Sequence, residues 1–363
     1  MKIGIVSMQR VINYGSYLQS YALKSILQEI GCDVYFVDIK SGKKIVEKKA
    51  YVSNNKKIDK FFIKRIEHVL FEKKRRKSFH EIYFYALGVN ETTKENNCDG
   101  IIIGSDEVFN CMQPSRWGFS TQLFGDTVVP SASYAASCGY TSFRGVEELG
   151  ITTDIRNALN KMLSISVRDS NTRDFVYKIT GRTAEEHLDP VLIYSWNDIE
   201  RCSKRLKNYI LVYAYDNRIN NLDEIATIRK FAKDHNKTLV SCGVYQRWCD
   251  KNIHCSPLEL LSYFDGADYV VTDTFHGTVI SIKRNKKFAT IIRDSNRNKI
   301  SDLLQRFGLE CREVKSITDL SGIITENIDY QRVNDIVAYE RDRSITYLKD
   351  FIRNVQEVKY DQR

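Results

Sequence analysis

The chain opens with a strand, a loop, a helix and a second strand within forty residues, and this order constrains the fold more than any other feature. Residues 3–8 (IGIVSM) predict a buried strand. Apolar residues then recur at helical spacing as far as Ile30, and the segment ends at Gly31. A second strand, CDVYFVDI, follows directly. Two strands joined by one helix form a βαβ unit, whose strands lie parallel in one sheet.

The same pattern returns in the second half, where NYILVYAYD, KTLVSCG, ADYVVTDTFHG and KKFATII predict strands separated by amphipathic helices. A length of 363 residues suits two domains. We therefore expect an α/β protein with two doubly wound, Rossmann-like domains that face each other across a cleft. The expected domains cover 1–195 and 200–325, and an amphipathic helix at 331–356 is expected to return to the first. Ligands of such folds bind outside the carboxyl ends of the strands.

The positive charge of the chain is concentrated in one segment. The net charge is +9, but residues 40–77 contain 15 Lys and Arg and only 4 Asp and Glu. Within this segment, 56–77 predicts a basic amphipathic helix. The helix either packs on the core with a solvated basic face, or docks on an anionic membrane surface or a polyphosphate-linked substrate. Nucleic acid is disfavoured as a partner because no zinc finger, RNP-like or recognition-helix pattern is present.

Cysteine spacing and hydropathy exclude several other classes of protein. The nine cysteines form no CxxC pair, and no set of ligands has the spacing of a zinc site. No apolar run is long enough to span a membrane. The N-terminus has the character of a strand rather than a signal peptide. We therefore expect a cytoplasmic protein with reduced thiols and no bound metal.

Polar residues follow three predicted strands of the first half. Gly15 precedes a helix whose N-terminus could hold an anion, or it closes a tight turn that needs one glycine. The GSD at 104–106 offers close backbone approach, donors and an acceptor, or an N-cap for the next segment. Arg168 has the forked geometry that binds carboxylates and phosphates, and the alternative is a structural salt bridge with Asp169 or Asp189.

One histidine and three cations are the candidates in the second half. His276 lies where a buried strand meets a helix start, so it could act as an acid or base near neutral pH. The alternative is a buried histidine with a purely structural role. Arg293, Arg297 and Lys299 follow a strand and could complete an anion site, or they could be solvated surface residues.

Six motifs follow one another along the chain: NYG-S-x-LQ-x-YAL (13–23), GSDEVFN (104–110), YAASCG (134–139), SVRD (166–169), DPVL (189–192) and ADYVVTDTFHGTVISI (267–282). As an ordered set they resemble the motifs of the polysaccharide pyruvyl transferase family, and the resemblance covers residue 1 to about 310. The resemblance implies a fold similar to GT-B glycosyltransferases. It also implies transfer of pyruvate from phosphoenolpyruvate, as co-substrate and without a further cofactor, to a saccharide as a ketal. The acceptor would often be lipid-linked and destined for capsule, exopolysaccharide or cell-wall polymer.

The resemblance also implies roles for individual residues. His276 is expected to be the general acid and base, and Arg168 is expected to bind the donor and take part in catalysis. Other donor-binding residues are expected to be Asn13, Gly15, Gly104, Ser105, Asp106, Thr274, Phe275, Gly277, Arg293, Arg297 and Lys299. Some family members carry an arginine in an SRLHG motif, where this chain has Thr274 and Phe275. The alternative function is a GT-B glycosyltransferase that uses a nucleotide-sugar, with Glu259 holding the ribose.

Overall fold

The computed structural model describes residues 1–45, 62–112, 117–197 and 206–361, and these form two parallel sheets. The first sheet has the order β2-β1-β3-β4-β5-β6 and the second has the order β11-β10-β7-β8-β9. The strands are β1 (Lys2–Val6), β2 (Asp33–Phe36), β3 (Gly100–Asp106), β4 (Ser131–Ala136), β5 (Ser166–Val167), β6 (Glu185–Glu186), β7 (Tyr209–Tyr213), β8 (Thr238–Cys242), β9 (Lys251–Ile253), β10 (Tyr269–Thr272) and β11 (Phe288–Thr290). The predicted α/β class is confirmed.

Thirteen α-helices connect and cover these strands in the described part of the chain. They are α1 (Tyr14–Glu29), α2 (Phe62–Ser78), α3 (Phe84–Leu87), α4 (Phe143–Glu148), α5 (Thr152–Lys161), α6 (Ser170–Thr180), α7 (Pro190–Ile193), α8 (Leu222–Asp234), α9 (Pro257–Gly266), α10 (Phe275–Lys283), α11 (Arg297–Phe307), α12 (Leu320–Thr325) and α13 (Tyr330–Asp361). No helix in the described residues is both long enough and apolar enough to cross a bilayer.

The central strands are buried on both faces, as expected for parallel sheets covered by helices. Every residue of β4 and β7 is buried, and so is β3 up to Ser105. The apolar runs of β3 and β7 make these two strands predictable from the sequence. The short strands β6 and β9 were not predicted, because two or three residues are too few to show a periodicity.

Helix starts follow the local sequence signals closely. Ser256 and Glu259 form a capping box at α9, where the Ser256 hydroxyl accepts from the Glu259 amide at 3.1 Å. The Glu259 carboxylate in turn accepts from the Ser256 amide at 2.7 Å. The SPLE sequence at 256–259 carries this helix-start signal. The capping box also commits the Glu259 carboxylate to the helix cap.

The last helix crosses back to the first sheet. The Tyr347 hydroxyl of α13 donates to the Ser133 carbonyl of β4 at 2.8 Å and accepts from Ser164 Oγ at 2.9 Å. A Cβ at Gly100 would come within 3.1 Å of Phe351, so α13 lies directly against β3. The helix expected at 331–356 is therefore part of α13, which contacts the sheet of the first half.

The basic segment forms a helix whose buried face differs from expectation. Residues 56–61 lie outside the described part of the chain, and α2 begins at Phe62. The apolar side chains of Ile66, Val69 and Leu70 are 45%, 61% and 59% exposed. The interpretation that these residues pack on the core is wrong, because α2 turns a mainly polar face toward the second half of the protein. His68, for example, lies 3.2 Å from Asp216.

Candidate active site

The N-termini of α1 and α10 meet between the two sheets. Asn13 Oδ1 accepts from the amides of Gly15 at 2.7 Å and Ser16 at 3.2 Å, which caps α1. Thr274 Oγ1 accepts from the Gly277 amide at 2.9 Å, which caps α10. His276, the second residue of α10, is buried at this junction. The histidine predicted from the sequence therefore lies where two helix N-termini converge.

Gly15 lies in the first turn of α1, so the tight-turn interpretation of this residue is wrong. A Cβ at Gly15 would lie 2.2 Å from His276 Nδ1 and 2.7 Å from its Cβ. Only glycine lets the helix backbone approach the imidazole this closely. The absence of a side chain at Gly15 thus makes room for His276, which is far away in sequence.

We expect Gly15→Ala to lower the free energy of unfolding by about 1–3 kcal/mol, because the added methyl overpacks a buried site. The control is Gly322→Ala in α12, where no atom lies within 4 Å of the added Cβ. This control should raise the free energy of unfolding by roughly 0.5–1 kcal/mol, as alanine is favoured over glycine within helices. Urea titration measures both values. Equal changes in the two variants would contradict the contact between Gly15 and His276.

A buried carboxylate links the histidine to the arginine. Asp189 Oδ2 accepts from Arg168 Nη1 at 2.9 Å and lies 3.6 Å from His276 Nε2. Its other oxygen accepts from the Val191 amide, so Asp189 also caps α7. Burial alone would disfavour the charged form, but His276 and then Arg168 outweigh burial and lower the pKa of Asp189 to about 2. Asp189 is therefore ionised and can orient His276.

Arg168 is the most enclosed cation of the site, with a side chain that is 2% exposed. Its guanidinium carbon lies 4.0 Å from the centre of the Phe275 ring. Nη2 lies 4.0 Å from Asp106 Oδ1, and neither Nη2 nor Nε has a hydrogen-bond partner among the described residues. The salt bridge with Asp189 that the sequence left open is present. The Arg168 guanidinium therefore lies buried beside the carboxylates of Asp106 and Asp189.

The loop after β3 faces the second half of the protein. Asp106 Oδ2 accepts from Ser16 Oγ at 2.6 Å, which ties the end of β3 to α1. Glu107 forms an ion pair with Lys299 of α11, and Asn110 Nδ2 also donates to Glu107 at 2.7 Å. Burial opposes the charge on Glu107, but Lys299 outweighs it and lowers the Glu107 pKa. This ion pair spans the gap between the halves.

The other two residues of the GSD motif are inside the protein. A Cβ at Gly104 would lie 2.2 Å from the Tyr134 carbonyl oxygen of β4. Ser105 is fully buried, and its hydroxyl donates to the Ala135 carbonyl at 2.9 Å. The close approach at Gly104 thus serves strand packing, and only Asp106 reaches the space between the halves.

Two of the arginines that were expected to bind the donor form ion pairs with glutamates instead. The Arg293 guanidinium makes two hydrogen bonds of 2.7 Å to the Glu224 carboxylate. Arg297 begins α11 and lies 3.3 Å from Glu313. Neither arginine lines the two cavities described next. Lys299 is the one of these three cations that the structure brings close to the Phe275 ring, at 5.9 Å.

Two cavities lie side by side between the halves, and both are lined by Asn13 and Tyr215. The smaller cavity, of about 200 Å³, is also lined by Arg75, Thr274 and His276. The larger cavity, of about 590 Å³, is lined by residues that include Ser16, Arg76, Asp106, Glu107, Asn110 and Trp117. Arg168 lines neither cavity. His276 and Asp106 therefore face different chambers of one site.

Sequence reasoning missed several residues of this site. Arg75 and Arg76 belong to the basic run, which the sequence predicts as one helix without assigning a site role to either residue. Tyr215, whose hydroxyl lies 3.5 Å from Asn13 Nδ2, had no recognisable motif. Asp189 was considered only as a partner of Arg168. The KKRRK run was a signal for anion binding, but it does not show which of its residues turn inward.

A second buried carboxylate lies beneath the site. Asp273 Oδ1 accepts from the Tyr215 amide at 3.2 Å, and burial raises the Asp273 pKa to about 6. Its Oδ2 has no hydrogen-bond partner in the described residues and lies 4.0 Å from Arg218 Nε. The part of the chain that the structure describes holds no group of three or more His, Cys, Asp or Glu placed to bind a metal ion.

Two parallel sheets that face each other across a shared site define a two-domain α/β protein with a GT-B-like fold. A Staphylococcus aureus MnaA structure with UDP is similar (TM-score 0.51, 10% identity, 97% of this chain and 96% of that chain). The UDP-GlcNAc 2-epimerase of Methanocaldococcus jannaschii is also similar, with a TM-score of 0.51, 11% identity and coverage of 96% of this chain and 100% of that chain. A putative UDP-N-acetylglucosamine 2-epimerase from Listeria monocytogenes has a TM-score of 0.54, 7% identity and coverage of 97% of this chain and 96% of that chain. At these identities the likeness concerns the fold alone.

The sequence comparison is more specific. The profile of the polysaccharide pyruvyl transferase family matches residues 13–295, which is most of the chain. The protein belongs to the polysaccharide pyruvyl transferase family. No match was found among curated proteins.

Proposed function

We propose that the protein transfers pyruvate from phosphoenolpyruvate to a saccharide and forms a cyclic ketal. The observation that carries this proposal is the position of His276, which lines a small cavity at two helix N-termini and is backed by the ionised Asp189. The reaction needs one group that donates and accepts a proton beside an anionic donor. Histidine suits this role near neutral pH.

The two cavities suit two substrates of different size. We assign the donor to the smaller cavity, where Arg75, His276 and the N-terminus of α10 favour a compact anion. We assign the saccharide to the larger cavity, which offers the polar groups of Asp106 and Asn110 and the indole of Trp117. Asn13 and Tyr215 line both cavities, so the reacting atoms would meet beside them.

The proposed reaction conserves protons and involves no redox step. A proton added to the methylene carbon of the donor makes C2 electrophilic, and a saccharide hydroxyl attacks C2. The bond from C2 to the phosphate oxygen breaks, and a second hydroxyl closes the ring. One hydroxyl proton replaces the proton given to the methylene carbon, and the other leaves with phosphate. His276 is the proposed acid and base for these transfers.

Arg168 is proposed as a positioning residue. Its charge is shared by Asp189 and Asp106, and it lines neither cavity. Through Asp189 it would fix the His276 ring, and through Asp106 it would hold the junction of β3 with α1. In this proposal Arg75, rather than Arg168, contacts the donor directly. Arg75 also pairs with Glu72 at 2.6 Å within α2.

The donor is tested by thermal shift and calorimetry with phosphoenolpyruvate. A ligand at about 100 times its Kd should stabilise the native protein by about 2.7 kcal/mol. We expect this stabilisation in the wild type and in Arg76→Gln, whose side chain lines the larger cavity, and a marked loss in Arg75→Gln. No response of the wild type to phosphoenolpyruvate would contradict the proposed donor.

The second candidate is a glycosyltransferase that uses a nucleotide-sugar. It is favoured by the overall similarity to a structure that contains UDP. Against it, the carboxylate expected to hold a ribose, Glu259, is engaged in the cap of α9. A thermal shift with UDP-sugars but not with phosphoenolpyruvate would support this candidate.

The finer parts of the proposal follow from the family. The proposed acceptor is a lipid-linked saccharide, and the proposed pathway is capsule, exopolysaccharide or cell-wall polymer biosynthesis. The proposed location is the cytoplasm, at the inner face of the membrane. The basic helix α2 supports this location, since it reaches from the surface of the protein into the site.

A further inference from the structure

One side of α2 exposes apolar and basic side chains together. Ile66, Val69 and Leu70 lie on the outer side of its first half, and they are followed on the same side by Lys73, Lys74 and Lys77. At 3.6 residues per turn these six residues fall on one side of the helix, here named the α2 face. All six are exposed, and Lys77 pairs only loosely with Glu81, at 3.7 Å. An apolar cluster of this kind on a surface indicates a contact site.

The opposite side of α2 is held against the second half of the protein. Lys64 Nζ donates to the Arg247 carbonyl at 2.8 Å. His68 pairs with Asp216, and the Phe71 ring lies 5.6 Å from that of Tyr245. These contacts fix the rotation of the helix, so the α2 face points outward as a result of packing on the other side.

Exposed apolar side chains also occur in the helical turns that follow α2 along the chain. Ile82 and Tyr85, in the helical turns that follow, are 57% and 66% exposed. Residues 62–87 contain seven Lys and Arg but three Glu, so the whole stretch is positive. Aliphatic side chains beside lysines match a lipid bilayer, where the former enter the acyl boundary and the latter meet phosphate groups. A nucleic acid would use the charges but not the aliphatic side chains.

We propose that the α2 face docks the protein on an anionic lipid surface. The same helix carries Arg75 and Arg76, which line the smaller and the larger cavity. Docking would therefore place at the headgroups the helix that lines both cavities. The further point that this presents a lipid-linked saccharide to the larger cavity rests on the proposed function, whereas docking itself does not.

The test is flotation of the full chain with vesicles of phosphatidylcholine, with and without phosphatidylglycerol. We expect binding to the anionic vesicles at low salt, weaker binding at high salt, and little binding to phosphatidylcholine alone. Lys73→Gln/Lys77→Gln should lower the partition coefficient about 25-fold, since each lysine near an anionic surface contributes roughly fivefold. Val69→Ser/Leu70→Ser should also weaken binding.

Matched controls come from α8, which exposes a leucine and a lysine outside the site. Leu222 is 80% exposed, and Lys230 forms an exposed pair with Asp234 at 3.0 Å, four residues away like Glu81 from Lys77. Leu222→Ser and Lys230→Gln should bind vesicles like the wild type. Equal binding by the α2 variants, or no binding by the wild type, would overturn the proposal. So would sedimentation showing that Leu70 is needed for a dimer instead.

These variants also separate docking from catalysis. None of the substituted residues on the α2 face lines the smaller cavity, so stabilisation by phosphoenolpyruvate should be unchanged in them. Loss of flotation with intact donor binding would support docking alone. Flotation without any donor binding would leave docking in place and contradict the proposed donor.

Discussion

Turnover by His276→Ala should fall by about 10²–10⁴-fold, the usual contribution of a positioned general acid or base. The variant should remain folded, because the ring lies at the edge of a cavity and makes no hydrogen bond within 3.5 Å through Nε2. Turnover is measured as phosphate released from phosphoenolpyruvate in the presence of an accepted saccharide. Circular dichroism reports the fold.

The matched control is His235→Ala at the end of α8. The His235 ring bonds to the Phe231 carbonyl at 2.9 Å and lines neither cavity. This control should keep turnover near that of the wild type. Near-normal turnover in His276→Ala would remove His276 from the mechanism and leave its position without a catalytic explanation.

The second large effect concerns stability. Asp189→Ala should lower the free energy of unfolding by about 3–5 kcal/mol, because it leaves the charge of Arg168 buried without its closest partner. The double variant Arg168→Met/Asp189→Leu should recover much of this loss, since it removes both charges and fills the space. Urea titration of the three proteins gives the values. The recovery in the double variant separates a charge effect from general disruption.

The exposed pair of Lys230 and Asp234 provides the comparison. Asp234→Ala should cost less than about 1 kcal/mol, because water screens an exposed ion pair. A loss in Asp189→Ala no larger than this would show that Arg168 finds other partners, with Asp106 the nearest at 4.0 Å.

The pH dependence of stability follows from the same carboxylate. The pKa of Asp189 is about 2 in the folded protein and close to 3.8 when exposed. The unfolded chain therefore binds more protons between these values, and stability falls as pH falls from about 4 toward 2. Above about pH 4 the contribution is fully present. Asp189→Ala should lack this part of the acid dependence.

Local chemistry explains which parts of the site were predictable. The cap of α9 needs Ser256 and Glu259 three residues apart, and that spacing is visible in the sequence. His276 is locatable because a buried strand, a short polar stretch with a glycine and a helix start follow one another. Arg168 was placed at a strand end, but two carboxylates were equally plausible partners. The choice of Asp189 depended on how β5 and α7 are arranged in space.

The basic helix shows the limit of periodicity. Apolar residues at helical spacing predict a helix and divide it into faces, but they do not say which face a neighbour covers. Polar contacts of His68 and Glu67 with the second half turn Ile66, Val69 and Leu70 outward. They also turn Arg75 into the smaller cavity. Neither outcome is encoded in the local pattern.

The amino-acid sequence alone predicts the parallel α/β architecture, the helix starts and the position of the histidine motif. These depend on residues a few positions apart, whose spacing matches the periods of helices and strands. Packing in three dimensions, by contrast, places Gly15 against His276 and Asp189 against Arg168, and it turns the apolar side of α2 outward. Each of these contacts joins residues distant in sequence, so it arises only when the packed elements fix their distance and direction.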